Sequence, residues 1–368
     1  MTGKVEGALR ALVVGTGFGC RIQVPALRGA GFEVVGLVGS DSARTAERAA
    51  ANGIAGHFTD LAKAISETGA DVVAISTPPH THAPLSIQAL EAGCHVLCEK
   101  PFCRDVDEAR AMLAAAEKAG KVHTIGNEFR FAPERSTVAR AIAEGMIGKP
   151  YFAAFVQFMG FVSIFEDDFP DWWFEVEEGG GWLGTSCSHL VDQVRSWLGE
   201  FESVSAGITY GAFRRGPVDD SFAVRFRLVN GLEGVMQQTA SSFGPLVEMT
   251  RIAGPEGSIW VQQAKAYFAD RTNQERILPV PPDLVLPPPP PLSGDARNQR
   301  ADWAAMAEVE IAPYTELCRS LRAAILGQPA PSPVPMASFA DGVANMQVMD
   351  AIRFSARNGG AMVRVKDL

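Results

Sequence analysis

Over the first 125 residues, short apolar runs alternate with stretches whose apolar positions recur every third or fourth residue. The runs at 10–15 (RALVVG), 33–39 (EVVGLVG), 71–76 (DVVAIS), 94–98 (CHVLC) and 121–125 (KVHTI) read as buried strands. Between them, 21–30, 41–52, 59–68, 81–92 and 105–119 read as helices, the second opened by Asp41 as N-cap. Wholly apolar strands separated by amphipathic helices predict a parallel sheet, because parallel neighbours need a crossover.

Beyond about residue 130 the pattern changes. A helix at 133–145 leads into long alternating segments at 150–162, 203–213, 220–229, 232–242 and 247–263, the last broken by the turn Gly254-Pro255-Glu256-Gly257. Asn230-Gly231 between two alternating runs signals a hairpin. Further helices are expected at 186–198, 312–326 and 337–358. Residues 279–291 hold eight of the 24 prolines, which excludes a helix or central strand and predicts a surface linker in polyproline II. The expected fold class is α/β: a doubly wound parallel domain over 1–128, then an α+β domain over 129–368 on a mostly antiparallel open sheet. The helix at 337–358 is expected to pack back on the first domain.

A chain of 368 residues exceeds one typical core, which agrees with two domains. Its net charge of −9 argues against a nucleic-acid partner, which needs clustered Lys and Arg. No apolar run reaches 18 residues and the start carries no signal-peptide pattern, so no membrane partner and a cytoplasmic location are expected. The six cysteines form no CxxC pair. Cys94, Cys98 and Cys103 straddle a strand and His80 and His82 share a loop, so buried reduced thiols and no metal site are expected.

Candidate chemistry starts at Gly15-Thr16-Gly17-Phe18-Gly19-Cys20, directly after a strand and before a helix. Glycines there allow a tight turn and let a pyrophosphate approach backbone N–H groups at the helix N-terminus, the mark of a Rossmann dinucleotide site. The third glycine of GxGxxG is Cys20, small enough for helix–strand packing. Where an NAD site usually carries an acidic residue to hold the ribose, this chain has Gly39, followed by Ser40, Asp41 and Arg44. Without that carboxylate, Ser40 and Arg44 are placed to meet a 2′-phosphate, so NADP is the expected cofactor. NAD is the alternative, with Asp41 both capping the helix and reaching the ribose.

Two more constellations follow strands: Ser76-Thr77-Pro78-Pro79-His80-Thr81-His82 and Cys98-Glu99-Lys100-Pro101. With the glycine turn they resemble the glucose–fructose oxidoreductase, inositol dehydrogenase and rhizopine-catabolism family, written Gfo/Idh/MocA, over nearly the whole chain. The resemblance implies that Ser76, Thr77, Pro78 and His80 lie against the nicotinamide half of the cofactor. It also implies that Lys100 reaches the nicotinamide ribose and the substrate hydroxyl, with Glu99 holding it and Pro101 often cis. Gly179–Asp192 resembles the family's glycine run followed by D-x-x-x-H-x-x-D, which makes His189 a catalytic candidate and Asp192 a substrate contact. The Asp position is Thr185 here, which removes an Asp–His pair. Asn127 and Arg130 in the segment NEFRF stand where the family places cofactor and substrate contacts, although Arg130 equally suits a structural brace. Of Trp172 and Trp173, one is expected to touch substrate, and Trp173 is the candidate.

The expected activity is hydride transfer between a nicotinamide and a secondary alcohol or ketone carbon of a small sugar, sugar derivative or cyclitol. Reduction of a non-sugar carbonyl or cyclic imine is an alternative, suited to the apolar segment 158–165 and the missing Asp. A cofactor-binding regulatory protein without catalysis is another. Phe152, Phe155, Phe158 and Phe161 predict an exposed apolar strand and a homo-oligomer through it, and the resemblance implies a homodimer or homotetramer paired through the C-terminal sheet.

Overall fold

The computed structural model describes residues 8–210, 215–294 and 296–367. They divide into two compact units.

The first unit comprises the residues up to Cys103, Asp107–Ala132 and Asp283–Gly342. Its strands are β1 (Arg10–Val14), β2 (Glu33–Val38), β3 (Gly56–Phe58), β4 (Val72–Ile75), β5 (His95–Cys98) and β6 (His123–Ile125). They lie in the order β3-β2-β1-β4-β5-β6, all parallel, so the strand order reverses between β1 and β4. The central strands are buried on both faces, Leu12, Val13, Val73 and Val96 completely, which is why their sequences are apolar without alternation. The edge strand β3 was not legible, because Gly-His-Phe carries no apolar run. Asp41 caps the helix Ser42–Ala51, as its sequence predicts, by accepting from the Arg44 N–H.

A helix expected over 312–326 runs from Ala301 to Ile325 and carries Pro313 inside it. Proline removes one backbone N–H and normally starts or ends a helix. Here buried neighbours hold it in place: Tyr314, Leu317, Cys318 and Leu321 join Ala26 and Leu27 in the core. The proline-rich stretch is also more than a linker. Leu284 is buried, and Leu292 packs against the same core. The first turn of the helix Phe339–Arg357 belongs to this unit, where the Phe339 ring meets Phe102 and His123.

The second unit comprises Arg104–Val106, Pro133–Pro282 and the residues from Val343 onward. Its strands are β7 (Phe152–Phe158), β8 (Phe201–Tyr210), β9 (Asp219–Leu228), β10 (Glu233–Thr239), β11 (Val247–Gly254), β12 (Gly257–Gln262), β13 (Lys265–Asp270), β14 (Glu275–Ile277) and β15 (Val363–Arg364). The sheet order is β14-β13-β12-β11-β7-β10-β9-β8-β15, antiparallel except for the pair β7–β10. Burial alternates along β9 and β10, so one face is covered and the other open. The strand expected over 150–162 stops at Phe158, and Phe161 lies in the short helix Phe161–Phe165. Phe155 faces the core while Phe152 is exposed, so only part of the expected apolar strip faces outward.

Candidate active site

In the first unit, three loops gather at the C-terminal ends of the central strands. The glycine turn follows β1 and Ser76 follows β4, on either side of the point where strand order reverses. An open α/β sheet forms its ligand crevice at that point. Gly15 has φ +120°, and a Cβ on it would stand 2.5 Å from the Ser76 carbonyl oxygen. At Gly19 a Cβ would stand 2.7 Å from both Ser76 Oγ and Val13 Cγ1. Glycine is therefore required by close approach at both positions. The turn runs through Phe18 into continuous helical turns over Gly19–Gln23 and Val24–Gly29, joined where the Val24 N–H donates to the Gly19 carbonyl. Cys20, in place of the third glycine, is fully buried.

Next to the turn, Gly15 N–H donates to the Val38 carbonyl at 2.9 Å, bringing the end of β2 alongside it. Ser40, Asp41 and Arg44 are all exposed there. The Asp41 carboxylate is held by the Arg44 N–H at 2.7 Å, which fixes it at the helix start.

The Ser76–His82 loop and the Glu99–Pro101 turn are tied together by His82. Its ring is buried, with Nε2 2.8 Å from the Thr77 carbonyl and Nδ1 3.0 Å from the Pro101 carbonyl. Burial lowers its pKa, against the carbonyls of Thr77, Phe102 and Pro101, which favour the charged ring. Thr77 and Thr81 share a hydroxyl–hydroxyl bond of 2.6 Å. The peptide between Lys100 and Pro101 is cis.

Around Glu99 lies a buried polar network that motif spacing did not reveal. Oε1 accepts from the Tyr314 hydroxyl and from Gln23 Nε2 at 3.2 Å, and Gln23 also donates to Tyr314 at 2.9 Å. Oε2 accepts from the Lys100 N–H at 3.2 Å. Gly126 lies flat on the carboxylate, where a Cβ would come within 2.7 Å of it. Burial pushes the Glu99 carboxyl up to about 7, and the Lys100 charge and the Tyr314 hydroxyl pull it back down. Glu128 is also buried and lies near Glu99, Lys100 and Glu310; burial and the Glu99 charge hold its pKa well above the usual carboxylate range. Glu310 faces Arg21 at 3.5 Å. No sequence motif marks Gln23, Glu310 or Tyr314, and Glu128 lies in the segment NEFRF without being singled out there. Their only signal is polarity at core positions of their helices and turns, visible once the facing elements are known.

Other expected contacts are placed differently. Asn127 is buried beside this turn. Arg130 is a brace: its guanidinium meets Asp341 at 3.3 Å and the Pro335 carbonyl at 3.4 Å, with the side chain 8% exposed.

In the second unit, Gly179-Gly180-Gly181 leads into a wide helical turn over Leu183–Cys187 and the helix Ser188–Leu198. Asp219 anchors this turn by accepting the Leu183 N–H at 2.5 Å. Burial raises the Asp219 carboxyl to about 6, with the Leu183 N–H acting the other way. Gly181 has φ +99°, and a Cβ there would overlap the Asp219 carboxylate. His189 is half-buried in the first turn of the helix, and Thr185 Oγ1 donates to the Gly181 carbonyl at 2.9 Å. Asp192 is buried and accepts from Asn345 Nδ2 at 3.2 Å, which makes it a support for the helix. Trp173 is buried and stacked on Phe169 at 4.2 Å, whereas Trp172 is half-buried. Of the two tryptophans, Trp172 is the more exposed.

Residues 9–127 match the family model for the Gfo/Idh/MocA oxidoreductases with an NAD-binding Rossmann fold, and residues 136–260 match the corresponding C-terminal domain. The chain belongs to the Gfo/Idh/MocA oxidoreductase family. Levoglucosan dehydrogenase of Pseudarthrobacter phenanthrenivorans is 31% identical over 58% of this chain and 61% of its own length. The 1,5-anhydro-D-fructose reductase of Ensifer adhaerens is 30% identical over 64% of this chain and 70% of its own. Among solved structures, levoglucosan dehydrogenase in complex with NADH and levoglucosan superposes with a TM-score of 0.79 at 26% identity, covering 97% of this chain and 99% of that one.

The Gfo/Idh/MocA assignment fits the glycine cradle. Gly15 and Gly19 press the turn against Ser76 ahead of a helix start at the switch point, where a dinucleotide pyrophosphate binds in this fold. Among the described residues no His, Cys, Asp and Glu side chains cluster as a metal site, and no helix is long and apolar enough to cross a membrane.

Proposed function

We propose that this Gfo/Idh/MocA enzyme uses NADP(H) to interconvert a secondary alcohol and a carbonyl on a sugar, sugar derivative or cyclitol. The observation that carries the proposal is Lys100 beside the buried Glu99–Tyr314–Gln23 network, next to a glycine turn at the switch point of the sheet. The nicotinamide, when bound, supplies or accepts the hydride. Lys100 places a positive charge where the substrate oxygen becomes an alkoxide, and Glu99 fixes that charge in place. His189 takes the alcohol proton in oxidation and returns it in reduction. With Thr185 in place of an acid, the turn before His189 carries no carboxylate at that position. Trp172 offers a half-buried ring to a sugar face. Levoglucosan dehydrogenase and anhydrofructose reductase among the relatives support the substrate class.

For the cofactor, Gly39 offers no carboxylate, the Asp41 carboxylate is committed to its helix, and Arg44 is exposed at the same end. These favour a 2′-phosphate over a free ribose hydroxyl. The open sheet face, with Phe152, Val247 and Met249 exposed, supports association of two or four copies.

One observation favours a second substrate class. Phe161 contacts Phe165, Phe169 and Trp182 in an aromatic cluster beside the glycine run, which suits an apolar carbonyl or cyclic imine. A panel of polyols, sugars and cyclic imines with both cofactors separates the two. Turnover on polyols or sugars supports the proposal, and turnover on imines alone overturns it.

A further inference from the structure

Gly39 closes β2, and its φ lies outside the left-handed region, so an L-residue would be compatible with the backbone there. Packing excludes one. A Cβ on Gly39 would overlap Thr45 Oγ1 and stand 2.7 Å from Thr16 Cγ2. The two neighbours differ in how easily they give way. Thr16 is half-buried on the glycine turn, so its methyl has room to move. Thr45 is 1% exposed, and its hydroxyl donates to the Asp41 carbonyl at 2.5 Å, one turn back in its own helix. A buried β-branched side chain whose Oγ1 is bonded to its own helix has little rotamer freedom. The absence of an acidic residue at the end of β2 is therefore built into the helix that follows.

We propose that Thr45 is a positioning residue for cofactor choice, acting only through the side chain that position 39 can carry. It fills the space beside Gly39, keeps a ribose-binding carboxylate out of that position, and leaves the end of β2 open to the 2′-phosphate of NADP(H). This rests on the NADP(H) reading above and adds a residue that never touches the nucleotide. A single change at position 39 then does not convert the site. An Asp there is displaced by Thr45 from the place where it would hold two ribose hydroxyls, yet its charge still repels a phosphate.

The test is a double-mutant cycle on the full chain, with NADPH and NADH titrated by nucleotide fluorescence. Gly39→Asp should weaken NADPH about tenfold or more without tightening NADH. Thr45→Ala alone should leave both affinities within about threefold. Gly39→Asp combined with Thr45→Ala should bind NADH about tenfold more tightly than Gly39→Asp does. If Gly39→Asp alone gains as much NADH affinity as the double variant, the role of Thr45 is overturned. A parent that prefers NADH overturns the NADP(H) reading, while the difference between single and double variants still decides the role of Thr45. Thermal unfolding gives a readout free of cofactor. Gly39→Ala should lower Tm by roughly 2–6 °C, and adding Thr45→Ala should cost less than its effect in the parent. Strictly additive Tm changes would contradict the packing argument.

Discussion

Tyr314 donates its hydroxyl to Glu99 Oε1 at 2.5 Å across 215 residues of sequence. The bond joins the helix Ala301–Ile325 to the turn that carries Lys100, so a distant helix sets the state of that turn. Burial raises the Glu99 carboxyl to about 7, and the tyrosine hydroxyl is one of the groups that lower it. Tyr314→Phe removes only that hydroxyl and keeps the ring against Phe18. Glu99 then takes up its proton at higher pH. The acid limb of the kcat profile should move toward alkaline pH, with kcat down about three- to tenfold at neutral pH. An unmoved profile would remove Tyr314 from the positioning network.

Arg44 is the residue most directly placed to distinguish the two cofactors. Arg44→Ala should weaken NADPH by about tenfold, the loss of a charge-assisted contact, and leave NADH within about twofold. Equal losses for both would show that Arg44 does not contact a 2′-phosphate.

Asp219 holds the turn before His189 through the Leu183 N–H and has its carboxyl raised from 3.8 to about 6. A raised acid is more protonated folded than unfolded between those values. Its contribution to stability is therefore complete below about pH 4 and is lost as pH rises through about 6. Asp219→Asn should flatten that part of the stability–pH curve. Asp219→Ala should also leave the Leu183 N–H without its partner and cost about 1–3 kcal/mol. Urea unfolding across pH 4–8 measures both, and a parent curve with the same slope as Asp219→Asn would refute the assignment.

The parallel core was legible because its strands are buried on both faces and their apolar runs stand apart from the helices. The short edge strand β3 was not, since pairing with β2 rather than hydrophobicity defines it. Pro313 hid the first half of a 25-residue helix, because its missing N–H is tolerated only by tertiary packing. In the site, the glycine turn, Ser76 and Glu99-Lys100-Pro101 carry local signatures. Gln23 and Tyr314 do not, since each acquires its role from a neighbour far away in sequence. For Arg130, Trp173 and Asp192, the partners within the fold could not be read from sequence: Asp341 for Arg130, Phe169 for Trp173 and Asn345 for Asp192.

The exposed Phe152, Val247 and Met249 lie on adjacent strands, since β7 pairs with β11. Light scattering at micromolar concentration should give a multiple of 39.3 kDa, and Phe152→Glu should reduce it. A parent that scatters as a monomer would contradict association through this face.

The most direct measurement of the central claim is steady-state turnover of Lys100→Ala beside the parent, on a substrate found by the panel, with cofactor affinity titrated on the same preparations. A fixed positive charge that acts on the developing alkoxide is felt mainly in the transition state. Turnover should therefore fall on the order of 10²-fold or more while the cofactor Kd stays within about threefold. Near-parental turnover in Lys100→Ala would contradict the assignment of Glu99-Lys100-Pro101 as the catalytic turn.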